Sequence, residues 1–372
     1  MTDLQGFLDA GVSVWLDDLG RQRLTSGDLA HLVDRVGVRG VTTNPSIFAA
    51  AVRDGEEYHD ELASSTGDAV ETVRRLMVRD VQDACDVLSD TFTTSQALDG
   101  RVSLEVDPGL AFDTGATIAA ARQVWTDVGR PNAMVKIPAT EAGLPAITET
   151  LAAGISVNVT LIFGVERYRA VQRAWVEGMR RAHDAGHDVS QIGSVASFFV
   201  SRLDTAVDRR LDELLTDGRI DAGRHRDLRG RAAVANARNA YRVFLQARST
   251  PEWAALAAVG AHPQRPLWAS TSTKDPSFAP TRYVDELVAP HTVNTMPSAT
   301  LAAVLAGDVT APPVLAIDLD TADQDRALFE QLADVGIGYD DVVAELERDG
   351  VQAFIDSWTS LLGLVDTARL GS

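Results

Sequence analysis

The chain has 372 residues, of which 45% are hydrophobic and 23% charged, so it can fill a large core, and disorder is excluded as its main state. Its net charge of -19 argues against a general nucleic-acid binder or a binder of anionic membranes. The lone cysteine, Cys85, excludes an intrachain disulfide and favours a reducing compartment, so we expect a cytoplasmic protein. We expect neither a secretory signal nor a membrane span, because no basic start precedes an apolar run and no apolar stretch approaches ~20 residues.

Eight short apolar segments, rich in Val, Ile, Thr and Phe, are predicted as strands. They cover residues 12–18, 40–44, 102–107, 134–139, 157–163, 193–200, 267–271 and 292–296. Amphipathic patterns between them, at 67–88, 165–182 and 202–215 for example, repeat apolar residues three and four apart and predict helices. Ser26 and Thr140 are predicted N-caps of two such helices. Strand and helix therefore alternate eight times.

This alternation predicts an α/β fold, a (β/α)8 TIM barrel. A doubly wound open sheet is the alternative, but the G-x-G-x-x-G turn typical of it is missing from the sequence. Residues 222–248 predict a helix pair inserted between strands six and seven. Pro312 and Pro313 precede two further helical segments, at 321–335 and 340–370. We interpret residues 1–372 as one barrel domain, with 308–372 as a C-terminal helical extension packed on it.

Polar side chains interrupt strands that should be nearly all apolar in a parallel barrel. They are Asp17, Asn44, Lys136, Asn158, Thr160, Ser197, and Ser270 or Thr271, together with Ser103, Glu105 and Asp107, which share one face of the third strand. Any one of them is more often a hydrogen-bonded structural residue, and Lys136 could simply pair with Glu105. At least six strands carry such a residue, however, and the C-terminal strand ends of this fold form its active site. The set therefore predicts a catalytic pocket.

Lys136 lies between Val135 and Ile137, a setting that favours covalent chemistry. An amine attacks a carbonyl only when it is neutral, and burial among apolar side chains disfavours charge. The resulting protonated imine stabilises a carbanion on the adjacent carbon and so permits aldol cleavage. Glu105 and Thr160, on the flanking strands, are the predicted proton shuttles.

Other chemistries have little support in the sequence. No H-E-x-x-H, G-x-S-x-G or P-loop motif occurs. His183 and His187 have the i, i+4 spacing of metal ligands, but Gly186 interrupts the helix between them, and we interpret the segment as a solvated helix end. We therefore expect no metal site.

Five ordered motifs resemble the transaldolase family. They are GVTTNPSIF at 40–48, SLEVD at 103–107, MVKIPATEAGL at 134–144, NVTLIF at 158–163 and SFFVSRLD at 197–204. The resemblance runs from about residue 13 to 300, and the length and C-terminal extension are similar to those of the longer bacterial members. It implies transfer of a dihydroxyacetone unit between sugar phosphates through a lysine Schiff base, in the non-oxidative pentose phosphate pathway, with no metal or organic cofactor.

The resemblance also implies residue roles. Lys136 would form the imine, Glu105 and Thr160 would hold and activate the catalytic water, and Asp17 would be the acid/base for carbon–carbon cleavage. Substrate contacts are implied for Asn44, Asn158, Ser197 and Ser270, with Arg202 and Lys274 as the cations for phosphate.

Two departures from the family pattern leave alternatives open. The first strand reads WLDDL, so Asp18 is the alternative to Asp17. After strand seven the chain reads STSTKD, with Lys274 where many members have an arginine, and a solvated loop residue is an equal interpretation of this lysine.

Two rival functions remain at the level of sequence. One is a class I aldolase that releases dihydroxyacetone or its phosphate, and the other is a non-catalytic carbohydrate-phosphate binder on the same fold. The complete set of Lys136, Glu105 and Thr160 argues against the second. The sequence does not fix the oligomeric state, nor whether the C-terminal extension covers the active site.

Overall fold

Eight parallel strands close into a barrel in which each strand pairs with the next along the chain and the eighth pairs with the first. The structure, a computed structural model, describes residues 4–307 and 314–370, with side chains up to residue 368. The strands are β1 (Val12–Leu16), β2 (Gly40–Val41), β3 (Arg101–Glu105), β4 (Ala133–Pro138), β5 (Val157–Ile162), β6 (Ser194–Phe199), β7 (Arg265–Ala269) and β8 (Thr292–Met296). The predicted (β/α)8 barrel is confirmed.

Strand β2 is much shorter than predicted, because its last residues serve the barrel mouth rather than the ladder. Only Gly40 and Val41 pair as strand residues, against the predicted 40–44. The carbonyl of Thr43 accepts a hydrogen bond from Lys136 Nζ at 2.9 Å, and Asn44 caps the following helix. Polar side chains at the end of a strand therefore end the strand early.

A fully paired polar cluster closes the opposite, N-terminal end of the barrel. The Arg265 guanidinium donates to Asp99 at 2.8 Å and to Ser13 Oγ at 2.7 Å, and Trp15 Nε1 donates to Asp99 at 3.1 Å. Burial alone would raise the pKa of Asp99, but Arg265 and these donors hold it below its ordinary value. The Trp15 indole packs so closely on Gly40 that a Cβ there would lie 2.6 Å from the ring. This end of the barrel is built for stability.

Helices surround the barrel and fill the connections. They are α1 (Gln5–Asp9), α2 (Arg21–Thr25), α3 (Asp28–His31), α4 (Pro45–Asp54), α5 (His59–Ala63), α6 (Ala69–Val87), α7 (Ser89–Thr94), α8 (Thr114–Val128), α9 (Gly143–Ala152), α10 (Val165–Asp184), α11 (Ser201–Thr216), α12 (Ala222–Leu228), α13 (Ala232–Ala247), α14 (Pro251–Ala258), α15 (Arg282–Asp285), α16 (Ser298–Ala306), α17 (Leu319–Asp334) and α18 (Tyr339–Leu370). The predicted insertion between strands six and seven is confirmed as α12 and α13, followed by α14.

Neither predicted N-cap residue holds the N-cap position of its helix. Ser26 follows α2 as its C-cap, and the left-handed Gly27 precedes α3 instead. Ala142, not Thr140, holds the N-cap position of α9, but the Thr140 hydroxyl does accept from the backbone N–H of Gly143, the first residue of the helix, at 2.9 Å.

The C-terminal extension consists of α17 and α18, while Pro312 and Pro313 lie outside the described residues. Helix α17 docks on α13 through the buried Asp325, which pairs with Arg238 at 2.6 Å and Arg242 at 2.7 Å. Helix α18 runs across the C-terminal end of the barrel and packs on α4, α6, α11 and β5. Within the described ranges, no helix is long and apolar enough to cross a membrane.

Gly350 lets α18 lie close to the barrel. A Cβ on this buried residue would lie 3.1 Å from the Phe163 ring and 3.3 Å from the Leu161 side chain. Gly363, in the same helix, is exposed and has nothing within 4 Å of the corresponding position. The two glycines thus form a matched pair that differs in packing alone.

We predict that Gly350→Val lowers the free energy of unfolding by about 1–3 kcal/mol, because the γ carbons overlap the aromatic ring. Gly363→Val is the control and should change the free energy by less than about 0.5 kcal/mol. Urea unfolding followed by circular dichroism measures both. Equal effects of the two substitutions would show that α18 does not depend on this close approach.

Candidate active site

The C-terminal ends of the strands surround a cavity of about 230 Å³, and α18 closes one side of it. Every strand except β3 contributes to its walls, either directly or through the segment that follows the strand. The lining residues are Asp17, Thr42, Asn44, Ser46, Lys136, Thr160, Ser197, Phe199, Arg202, Ala269, Ser270, Ser272, Lys274, Thr295, Pro297 and Phe354. Of the site residues predicted from the sequence, only Glu105 and Asn158 are not part of this lining.

Strand register places Glu105, Lys136 and Asn158 side by side. Glu105 pairs with Lys136 across β3 and β4, and Lys136 pairs with Asn158 across β4 and β5. Paired residues of neighbouring strands point to the same side of a sheet, so all three side chains project into the barrel. Lys136 Nζ lies 3.6 Å from a Glu105 carboxylate oxygen, and the lysine is only 4% exposed. The buried amine thus has an acidic neighbour at ion-pair distance.

The Glu105 carboxyl group is buried without a hydrogen-bond donor. Neither of its oxygens has a hydrogen-bond partner among the described residues. Burial raises the pKa of Glu105 to about 7. The charge of Lys136 opposes this shift, and the nearby Asp17 adds a smaller rise. A carboxyl group with this pKa can both donate and accept a proton near neutrality.

Asp17 faces the cavity, and Asp18 does not. Thr42 Oγ1 donates to Asp17 at 2.6 Å and lies 2.6 Å from Thr295 Oγ1. Burial raises the pKa of Asp17, while Lys136 and the Thr42 hydroxyl oppose the shift. Asp18 instead pairs with Arg23 at 2.8 Å and accepts from Ser298 Oγ at 2.5 Å. Of the two adjacent carboxylates, only Asp17 is positioned to meet a ligand.

A bulge in β5 accompanies Thr160. The register against β6 shifts between Val159 and Ile162, and Leu161 has a left-handed φ of 58°. Such a bulge re-aims the side chains beside it. Thr160 lines the cavity, and its hydroxyl has no hydrogen-bond partner in the described part of the chain.

Asn158 lies below the cavity in a chain of hydrogen bonds. Its amide nitrogen donates to Ser103 Oγ at 3.0 Å, and its amide oxygen accepts from Ser197 Oγ at 2.7 Å. Ser197 itself lines the cavity. Asn158 therefore links strands β3, β5 and β6 and orients Ser197.

Asn44 has its amide oxygen engaged at the start of α4. That oxygen accepts from the backbone N–H groups of Ser46 at 3.0 Å and Ile47 at 3.1 Å. The amide NH₂ group remains as the part of Asn44 that a ligand can use. Asp107, expected on the same face as Glu105, caps the Gly109 N–H at 2.8 Å instead, because β3 ends at Glu105 and the chain turns there.

The far side of the cavity is cationic. Arg202 opens α11, lies 5.7 Å above the Phe199 ring, and has no carboxylate partner among the described residues. Burial lowers its pKa below the ordinary value for arginine. Lys274 Nζ donates to Ser272 Oγ at 2.9 Å, and both side chains also line the cavity. An unpaired arginine beside hydroxyl groups and a lysine suits an anionic group such as phosphate.

Ser270, rather than Thr271, faces this cavity. Ser270 has a left-handed φ of 55°, and its hydroxyl lies 3.0 Å from Ser201 Oγ. Thr271 is buried and donates to the carbonyl of Thr295 at 3.2 Å. The change of backbone direction at Ser270 ends β7 and turns its side chain to the mouth.

Sequence reasoning missed several lining residues. Thr42 could have been found, because it precedes Asn44 by two positions in a strand that alternates faces. Phe199, Thr295 and Phe354 could not have been found, because phenylalanine and threonine are also common in cores and strands that line no site. Phe354 is 7% exposed, and its ring centroid lies 5.5 Å from Lys136 Nζ, although 218 positions of sequence separate the two residues.

Comparisons with known proteins agree over nearly the whole chain. A family model described as transaldolase/fructose-6-phosphate aldolase matches residues 14–365. A transaldolase of Frankia alni is 52% identical over 96% of this chain and 94% of its own length. Transaldolase 2 of Streptomyces coelicolor is 50% identical over 97% of this chain and 96% of its own length. A transaldolase of Acidothermus cellulolyticus is 52% identical over 98% of this chain and 96% of its own length.

We predict that the Glu105 carboxyl group titrates with a midpoint near pH 7, so that its charged fraction falls as the pH drops from 8 to 6. Carbon-13 NMR of labelled glutamate side chains measures this, and Glu105→Gln assigns the signal. Glu149 is the control, because it pairs with Arg181 at 2.8 Å, which lowers its pKa. A Glu105 midpoint at or below the ordinary value of 4.5 would contradict the assignment of its environment.

Proposed function

This chain belongs to the transaldolase/fructose-6-phosphate aldolase family, and from that premise we propose the roles of its residues in transferring a dihydroxyacetone unit between sugar phosphates. It is a transferase of aldehyde and ketone residues, of the aldolase class that works through a lysine Schiff base. Donor and acceptor are sedoheptulose 7-phosphate and glyceraldehyde 3-phosphate, or fructose 6-phosphate and erythrose 4-phosphate in the reverse direction. We place the reaction in the non-oxidative pentose phosphate pathway of the cytoplasm.

The observation that carries the assignment of residues is the buried Lys136 amine between two proton-handling side chains. Glu105 and Thr160 come from the strands on either side of it, and each has a side-chain oxygen without a partner in the described structure. The neutral amine attacks the ketose carbonyl, and a proton moves to the resulting alkoxide. Glu105, with a pKa near 7, then protonates the hydroxyl so that it leaves as water and the C=N bond forms.

Asp17 handles the second proton transfer. It lies in the cavity with Lys136 and is oriented by Thr42. As a carboxylate it takes the proton of the ketose C4 hydroxyl. The C3–C4 bond then breaks, its electron pair flows to the protonated imine, and an aldehyde is released. The dihydroxyacetone carbanion stays on Lys136 until it adds to the carbonyl of the acceptor, and Asp17 returns its proton to the new hydroxyl. Water then adds to the C=N carbon with Glu105 as the acid/base, and the C–N bond breaks to free the new ketose and the Lys136 amine.

The remaining predicted residues bind the substrate. The Asn44 NH₂ group, the Ser197 hydroxyl and the Ser270 hydroxyl contact the donor hydroxyls, and Asn158 positions Ser197. Arg202 binds the phosphate with Lys274 beside it. Support for Arg202 is its half-buried position at the cavity without a competing carboxylate among the described residues.

We predict that borohydride reduction in the presence of fructose 6-phosphate leaves a stable three-carbon adduct on Lys136, which peptide mass mapping locates. Lys136→Ala should retain the fold and lose turnover by roughly 10³-fold or more, because Lys274, the other lysine that lines the cavity, is exposed and donates to Ser272 instead. Circular dichroism checks the fold. Lys274 is the internal control, and an adduct there or turnover retained by Lys136→Ala would overturn the assigned nucleophile.

We predict that Arg202→Leu raises KM for fructose 6-phosphate by roughly 10- to 100-fold, the range lost with a hydrogen bond to a charged group. Steady-state kinetics of cleavage with fructose, the same ketose without the phosphate, gives the comparison, and KM for fructose should be unaffected. Arg180→Leu, a change at an exposed arginine of α10, is the matched control. Lys274→Met should raise KM in the same direction if this lysine contacts the phosphate.

If Arg202→Leu raised KM equally for the phosphorylated and the unphosphorylated donor, Arg202 would not belong to the phosphate site. The Lys274→Met result decides whether that lysine contacts the phosphate or is a solvated loop residue. An unchanged KM would show the second.

A further inference from the structure

An aromatic ring of the C-terminal extension lies close to Lys136. The Phe354 ring centroid lies 5.5 Å from Lys136 Nζ, and the phenylalanine lines the cavity. It is buried against the barrel mouth. A benzyl side chain neither donates nor accepts a proton, so its effect on the lysine is to cover it and to attract a cation by its ring face.

The position of Phe354 is fixed by contacts along α18. Gly350, one turn earlier, lies against Phe163, whose ring centroid is 5.1 Å from that of the cavity residue Phe199. Val343 meets the backbone at Gly164, where a Cβ would be 2.7 Å from its Cγ1. The helix carries Phe354 over the lysine because these contacts hold it close to the end of β5.

Polar contacts fasten the same helix to three others of the barrel. Tyr339 donates to Asn236 Oδ1 of α13 at 2.6 Å and accepts from the Val165 N–H at the start of α10 at 3.0 Å. Glu347 pairs with Arg167 of α10 at 3.3 Å, and Glu345 pairs with Arg210 of α11 at 2.5 Å. The start of the helix is thus anchored on several sides, and the ring two turns beyond Glu347 is held in place.

The covalent intermediate has two fates. In transfer, the carbanion carbon adds to an aldehyde. In release, that carbon takes a proton from solvent, water adds to the C=N carbon, and the C–N bond breaks to free dihydroxyacetone and the Lys136 amine. Both fates end with hydrolysis of an imine on Lys136, so they differ in whether the carbanion carbon first meets a proton donor or the acceptor aldehyde.

We propose that Phe354 determines reaction specificity by covering the Lys136 imine with an apolar face, so that the bound dihydroxyacetone unit is passed to an aldehyde rather than released to water. This inference rests on the proposed function. The ring attracts the protonated imine as it attracts the ammonium, because both are cations. Its CH edges offer no hydrogen bond to a water, so no water is held on that side to protonate the carbanion carbon. The water that hydrolyses the imine in both fates is served by Glu105 and Thr160 instead.

The test measures two rates on the purified full chain with fructose 6-phosphate. One is transfer to erythrose 4-phosphate, and the other is the release of free dihydroxyacetone without acceptor. We expect Phe354→Gln, which keeps much of the side-chain length but adds polar atoms, to raise the ratio of release to transfer by roughly 10-fold. Phe354→Leu keeps an apolar cover and should leave the ratio near that of the unsubstituted protein.

The controls separate this inference from the proposed function and from a structural role. Phe112→Ala alters an exposed phenylalanine, 68% exposed, and should change neither rate. No transfer by the unsubstituted protein would overturn the proposed function itself. With transfer present, a fall of both rates by the same factor in Phe354→Gln, or an equal rise of the ratio in Phe354→Leu, would overturn the role of the apolar cover.

Discussion

The burial of one amine beside one carboxyl group determines how the mouth of this barrel is built. An ammonium removed from water costs several kcal/mol unless it is paired and hydrogen-bonded. Lys136 receives partial compensation from the carbonyl of Thr43 at 2.9 Å and from Glu105 at 3.6 Å. The first contact takes a backbone acceptor from the ladder, and β2 is consequently two residues long. The second leaves Glu105 without a hydrogen-bond donor in the described structure, which is why burial raises its pKa so far. Incomplete compensation is what leaves the Glu105 carboxyl group able to exchange a proton near neutrality.

The two ends of the barrel handle polar groups in opposite ways. At the N-terminal end, Asp99 is satisfied by Arg265, Ser13 and Trp15 and its pKa is lowered. At the C-terminal end, the Thr160 hydroxyl and the Glu105 carboxylate have no hydrogen-bond partner among the described residues. Left-handed non-glycine residues occur at both ends, Leu161 and Ser270 at the mouth and Ala97 and His291 before β3 and β8. Each such residue costs on the order of 1–3 kcal/mol and persists only where the surroundings enforce it. The paired end and the large core supply the stability that the unsatisfied end lacks.

The barrel, the inserted helices and most of the cavity could be predicted from sequence because their signals are local. Eight apolar runs are separated by helices, and polar residues stand out against apolar strands, as Lys136 does between Val135 and Ile137. Asp17 and Asp18 could not be separated from sequence, because their difference lies in the turn that points one to Thr42 and the other to Arg23. Ser26 failed as an N-cap for a similar reason, since the left-handed Gly27 starts a new helix after it. Phe354 was beyond prediction, because an apolar residue in an amphipathic helix gives no sign of which surface it meets.

The acidity of the chain and the anionic nature of its substrates are reconciled by burial. A net charge of -19 repels phosphate at a distance, so recognition depends on what the cavity presents locally. Burial raises the pKa of Glu105 to about 7, which reduces the negative charge that an incoming sugar phosphate meets, and it shifts the pKa of Asp17 in the same direction. Burial lowers the pKa of Arg202, but an arginine stays charged near neutrality. Desolvation therefore weakens the acidity of the carboxyl groups while the guanidinium keeps its charge at the phosphate end. In the enclosed cavity that single charge acts more strongly than the screened acidic surface outside.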